Sequence, residues 1–168
     1  MLTRNWYRLI SLTIFATTND SNSAVTCKNS KGTTTNIPAN NFLFQIGFNS
    51  SSLKTSFGTG SSSSGVIFGT GDIAPTLDDY TLSGNVISGI SMTSSKSSVG
   101  KEEDAEYASF TTVYSITNNN TEEVTVREIA SMVYGCIVDR TVLDTPITIP
   151  AGGIGQVTYT IRMNYPTV

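Results

Sequence analysis

The chain has 168 residues and a net charge of −3, with 14% charged residues, 38% hydrophobic residues and no histidine. A domain near this length buries roughly 68–70% of the surface its unfolded chain exposes, so one domain with a real core is expected, and charge is too sparse for a disordered polyelectrolyte. Lys and Arg are scattered rather than clustered, which argues against direct nucleic-acid binding, and the missing histidine removes His-based triads and dyads, most catalytic zinc sites and a pH switch near neutrality.

At the N-terminus, Arg4 and Arg8 bracket the approach to the apolar run Leu9-Ile10-Ser11-Leu12-Thr13-Ile14-Phe15-Ala16. The run imitates a secretory leader only loosely, and it is far shorter than the roughly 20 residues a membrane span needs. No membrane span is expected. Trp6, Leu9, Ile10, Ile14 and Phe15 fall near one face at helical spacing, so residues 1–16 read as an arm or short helix. That face needs a surface to dock on, and the five residues are the candidate subunit interface.

Further along, Val25–Cys27 and Thr33–Ile37 suggest a short hairpin around the Lys31-Gly32 turn. Phe42, Phe44, Ile46 and Phe48 alternate as in a strand. A Ser/Gly-rich loop is expected over 49–65, a buried strand at Val66-Ile67-Phe68, and turn chemistry from Gly69 to Asp79. Strand character resumes from Tyr80 to Ile90, and a polar loop is expected over 93–106. Ala108, Phe110, Thr112, Tyr114 and Ile116 then share one face of a strand. After the turn Asn118-Asn119-Asn120-Thr121 come Val124–Ile129, the apolar run Met132–Val138, a segment from Val142 to Ile149 and a turn at Pro150–Gly153. Val157, Tyr159, Ile161, Met163 and Tyr165 alternate in the last strand. This predicts an all-β fold, an antiparallel β-sandwich of Ig-like or jelly-roll-like type, with a single domain over 17–168. Five apolar side chains on one strand face, each contributing about 1.5–3 kcal/mol when buried, demand a second layer.

The segments Asn118-Asn119-Asn120-Thr121, Val124-Thr125-Val126-Arg127-Glu128-Ile129, Asp139-Arg140-Thr141-Val142-Leu143, Pro146-Ile147-Thr148-Ile149-Pro150-Ala151-Gly152-Gly153 and Val157-Thr158-Tyr159-Thr160-Ile161 together resemble a module of tailed-bacteriophage structural proteins. The stretch from Gly69-Thr70-Gly71 to Asp78-Asp79-Tyr80-Thr81-Leu82 resembles a companion piece of the same proteins. The motifs cover roughly the C-terminal 100 residues, and their order is more specific than any one of them. The resemblance implies a virion β-sandwich in the capsid, neck or tail.

Chemistry is sparse. Gly58–Gly65 lacks the lysine and hydroxyl that follow the last glycine of a phosphate loop. Asp72, Asp78 and Asp79 lack calcium-loop spacing and suit turns, and the acidic run Glu102–Glu106 reads as a solvated loop. Cys27 and Cys136 lack metal-ligand spacing and leave either two buried thiols or one disulfide open. No cofactor, metal or catalytic residue is assigned. Glu128 and Arg140 stand out because each interrupts an apolar strand segment, where an unpaired charge would be costly to bury. They are expected either to pair, with each other or with backbone groups, or to point outward.

The expectation is a non-enzymatic virion protein in multiple copies, held by contacts with copies of itself and other virion proteins. A second reading is a surface-exposed adhesion module that uses the Ser/Gly-rich loops at 49–65 and 93–106 for host attachment. A third is a secreted β-protein with a cleaved leader.

Overall fold

The computed structural model describes residues 1–8, 24–38, 65–100 and 107–164. Among them eight strands form three sheets: β1 (Ala24–Lys28) with β2 (Thr34–Pro38); β3 (Gly65–Gly69), β6 (Val124–Val133) and β7 (Cys136–Ile149) in the order β3-β6-β7; and β4 (Ile90–Gly100), β5 (Tyr107–Asn118) and β8 (Ile154–Asn164) in the order β4-β5-β8. Residues 4–8 are helical. The all-β, antiparallel expectation is met. No helix among the described residues is long and apolar enough to cross a membrane.

The chain falls into two compact units, Met1–Ile87 with Val126–Pro146, and Ser88–Thr125 with Ile147–Val168. Strands β6 and β7 contribute residues to both. The arm drawn at 1–16 and the domain drawn at 17–168 do not coincide with these units, since residues 1–8 belong to the first.

In the first unit, the β3-β6-β7 sheet buries both faces. Val133, Cys136 and Val138 pack with Cys27 and Ile37 of the β1–β2 hairpin, and Trp6 and Tyr134 close over them. Ala130, Met132 and Ile137 pack with Leu82 and Ile67. This explains why β6 is buried at every position from Glu128 to Val133 rather than at alternate ones. The turn from β6 to β7 is two residues long, with positive φ at both Tyr134 (52°) and Gly135 (75°), the backbone pairing that suits the twist of a tight hairpin. The apolar run Met132–Val138 is therefore two strand ends and a turn. Pro146 sits in β7, the last strand of its sheet, where a missing N–H is tolerated.

The second unit follows its alternation closely. Thr112, Tyr114 and Ile116 of β5 and Val157 and Tyr159 of β8 are buried, whereas Gln156, Thr158 and Thr160 are exposed. Strand β5 pairs on both sides, with β4 and with β8.

Two expectations need correction. Residues 93–100 are not loop but the body of β4, paired with β5 and shifted in register between Ser95 and Ser97; backbone pairing to a strongly patterned neighbour outweighs the turn preference of Ser. Tyr80–Gly89 is not a strand. Its only ladder contact is an isolated bridge between Val86 and Gly69, because the backbone N–H groups of Ser83 and Gly84 bond a side chain instead. The strand candidate at Phe42–Phe48, the acidic run 102–106 and all but the last residue of the loop expected over 49–65 lie outside the described residues; Gly65 opens β3.

Candidate functional site

Among the described residues the most heavily bonded polar cluster is built on Glu128 and Arg140. Burial of Val126, Ala130 and Met132 draws β6 into the core, and Glu128 goes with them, to 0% exposure. The segment 70–87 leaves β3 at Gly69 and returns over this carboxylate. Glu128 Oε1 accepts the N–H groups of Gly71 (3.0 Å) and Gly84 (2.8 Å). Oε2 accepts the N–H and hydroxyl of Ser83 (3.0 and 3.1 Å) and Nε of Arg140 (2.9 Å). A side chain at Gly71 would collide with Ser83, Gly84 and Glu128 itself, so glycine is required for the backbone to come this close.

Arg140, 2% exposed, also donates from Nη1 to Asp79 and from Nη2 to the carbonyl of Ile73. Asp79 in turn closes a small turn, accepting the N–H and hydroxyl of Thr76 at 2.8 and 2.7 Å. Burial pushes the Glu128 carboxyl up, but the bonds from Ser83, Gly84 and Arg140 together outweigh it and hold the group below its ordinary value. The same balance, with Thr76 and Arg140 opposing burial, holds Asp79 below its ordinary value. Three charges are thus fixed by bonds to one another and to surrounding backbone and hydroxyl groups, an arrangement suited to holding backbone rather than moving protons.

Beside this network lies a cavity of about 300 Å³ lined in part by Arg4, Arg8, Lys28, Asp78 and Tyr80. Arg4 pairs with Asp78 at 2.6 Å on an exposed edge, and the Lys28 ammonium lies 3.7 Å from the centre of the Tyr80 ring. Asp72, Asp78 and Asp79 do not converge, and no group of three metal-ligating side chains occurs among the described residues.

Comparison with protein-family models, with curated proteins and with solved structures finds no match to this chain.

A second polar hub was not anticipated from sequence. Asn118, 0% exposed, ends β5, and its Nδ2 reaches the carbonyls of Glu122 (2.8 Å), Ile149 (3.0 Å) and Pro150 (3.2 Å). Its Oδ1 accepts the N–H and Nδ2 of Asn120. One carboxamide thus ties the β5–β6 turn to the end of β7. The signal for this hub, three consecutive asparagines, looks like turn composition alone. The Thr76–Asp79 pair, by contrast, has the three-residue spacing of a capping box and could have been read.

Of the candidate interface residues, Trp6 packs on its own chain's core, while Leu9, Ile10, Ile14 and Phe15 lie outside the described residues. Glu128 and Arg140 are brought together within one chain.

Proposed function

We propose that this chain is a non-enzymatic structural protein of a tailed-bacteriophage virion, present in multiple copies in the capsid, neck or tail, with an Ig-like or jelly-roll-like sandwich architecture. One observation supports the reading above others. The phage-like stretch Gly69–Leu82 meets two of the other phage-like segments, Val124–Ile129 and Asp139–Leu143, at the Glu128 carboxylate and the Arg140 guanidinium. A resemblance carried by separate turn-rich motifs gains weight when those motifs form one bonded unit, because the charge pair would be costly to keep without the loop that satisfies it. The saturated state of Glu128 fits a scaffold rather than a reacting carboxylate.

On this reading the partners are copies of the same chain and other virion proteins. The test is quantitative mass spectrometry of gradient-purified particles, with immunogold labelling to locate the chain. Expected is a fixed stoichiometry of several copies per particle that survives high-salt washing. Recovery only in the soluble lysate, with none in particles, would overturn the proposal.

A further inference from the structure

The buried cysteines sit where the backbones of β1 and β7 converge. Cys27 and Cys136 are both 0% exposed and belong to the same core cluster with Ile37, Val133 and Val138. The chain on either side is pinned. A single amide nitrogen, Asn5 Nδ2, donates to the carbonyl after each cysteine, Lys28 at 2.9 Å and Ile137 at 3.2 Å. The Lys28 N–H returns to Asn5 Oδ1, and the Ser30 N–H bonds the Gly135 carbonyl at 2.9 Å. One side chain and one direct bond thus hold the two backbones beside a shared core cluster, which keeps the two cysteines near each other.

We propose that Cys27 and Cys136 are a latent intramolecular disulfide, formed by exchange with a low-molecular-weight disulfide, that bolts the β1–β2 hairpin to β7. The Cys136 thiol donates to the Tyr134 carbonyl at 3.7 Å. Exchange starts at whichever sulfur is deprotonated. One cysteine thiolate attacks one sulfur of the reagent, forming a mixed disulfide and releasing one thiol. The other cysteine then gives up its proton and attacks the protein sulfur of that mixed disulfide, which closes the protein bridge and releases the second thiol. Two protein thiols are oxidised, and one small disulfide is reduced to two thiols. Because both sulfurs are buried, the reagent enters when the two-stranded hairpin lifts, and the bridge prevents further lifting. The inference does not depend on a virion role.

The experiment uses the full chain, purified reduced and then incubated with oxidised glutathione. Expected are an intact mass lower by two hydrogen atoms in the monomeric fraction and a Cys27–Cys136 linked peptide on non-reducing digestion. Once denatured, the oxidised chain should offer no thiol to alkylation. The oxidised form should also melt higher, and dithiothreitol should reverse the shift. Asn5→Ala, which loosens the clamp without touching sulfur, should lower the equilibrium fraction of bridged chain in a glutathione redox buffer severalfold. Two alkylatable thiols per chain after prolonged oxidation, or bridges found only between chains, would overturn the proposal.

Discussion

Nε of Arg140 lies 2.9 Å from Oε2 of Glu128, inside a single chain and out of contact with water. Neither residue could occupy its position alone, since an isolated buried charge is far more costly than a paired one. Glu128→Gln should therefore lower unfolding stability by about 3–5 kcal/mol, read from the midpoint of urea denaturation. Arg140→Met should do the same, and it should also free Asp79. The double replacement should cost less than the sum of the two, and strictly additive losses would show that the pair is not coupled.

Stability should fall in acid, and the sign follows from the two carboxyls. Glu128 and Asp79 are both held below their ordinary values in the folded chain. Their contribution is fully present above the unfolded carboxyl range of about pH 4 and is lost as pH falls through the depressed folded values. Melting temperature should be flat from pH 7 to about 5 and then drop, and Glu128→Gln should flatten part of that drop.

Gly71→Ala should destabilise the first unit, since the added carbon meets Ser83, Gly84 and Glu128 with no room to yield. A cost of about 1–3 kcal/mol is expected. Thermal unfolding would measure it, and no change would mean that the segment 70–87 is not closed over the carboxylate.

Asn118→Ala should cost about 1–3 kcal/mol by leaving the buried carbonyl of Ile149 without its donor. Hydrogen exchange should rise in the 118–122 and 150–153 turns while β3 stays protected.

Ser131 presents the opposite case. Its hydroxyl is buried without a hydrogen-bond partner among the described residues. Ser131→Ala should be neutral or stabilising, by up to about 1–3 kcal/mol, and a large loss in denaturant midpoint would contradict this.

Much of the strand framework was legible because its cause is local. Thr112, Tyr114 and Ile116, and likewise Val157 and Tyr159, occupy alternate positions, and alternation is a property of the strand itself. The hairpin at Lys31-Gly32 and the turn at Pro150–Gly153 carry their own turn chemistry. What could not be read was set by distant partners. Tyr80–Gly89 has strand composition, yet the N–H groups of Ser83 and Gly84 are bound to a carboxylate 44 or 45 residues away. The Ser-rich stretch 93–100 has loop composition, yet β5 recruits it. Glu128 and Arg140 were conspicuous as charges in apolar segments, but Asp79, Gly71 and Ser83 became partners only through the fold.

The slip in register between Ser95 and Ser97 bears on how the chain behaves in concentrated solution. Among the described residues β4 pairs only with β5, so its other side is a rim onto which a foreign strand could zip. A one-residue offset twists that rim and interrupts its row of donors and acceptors. An intruding chain would find two short, misaligned stretches instead of one long straight one, which protects against runaway edge-to-edge stacking.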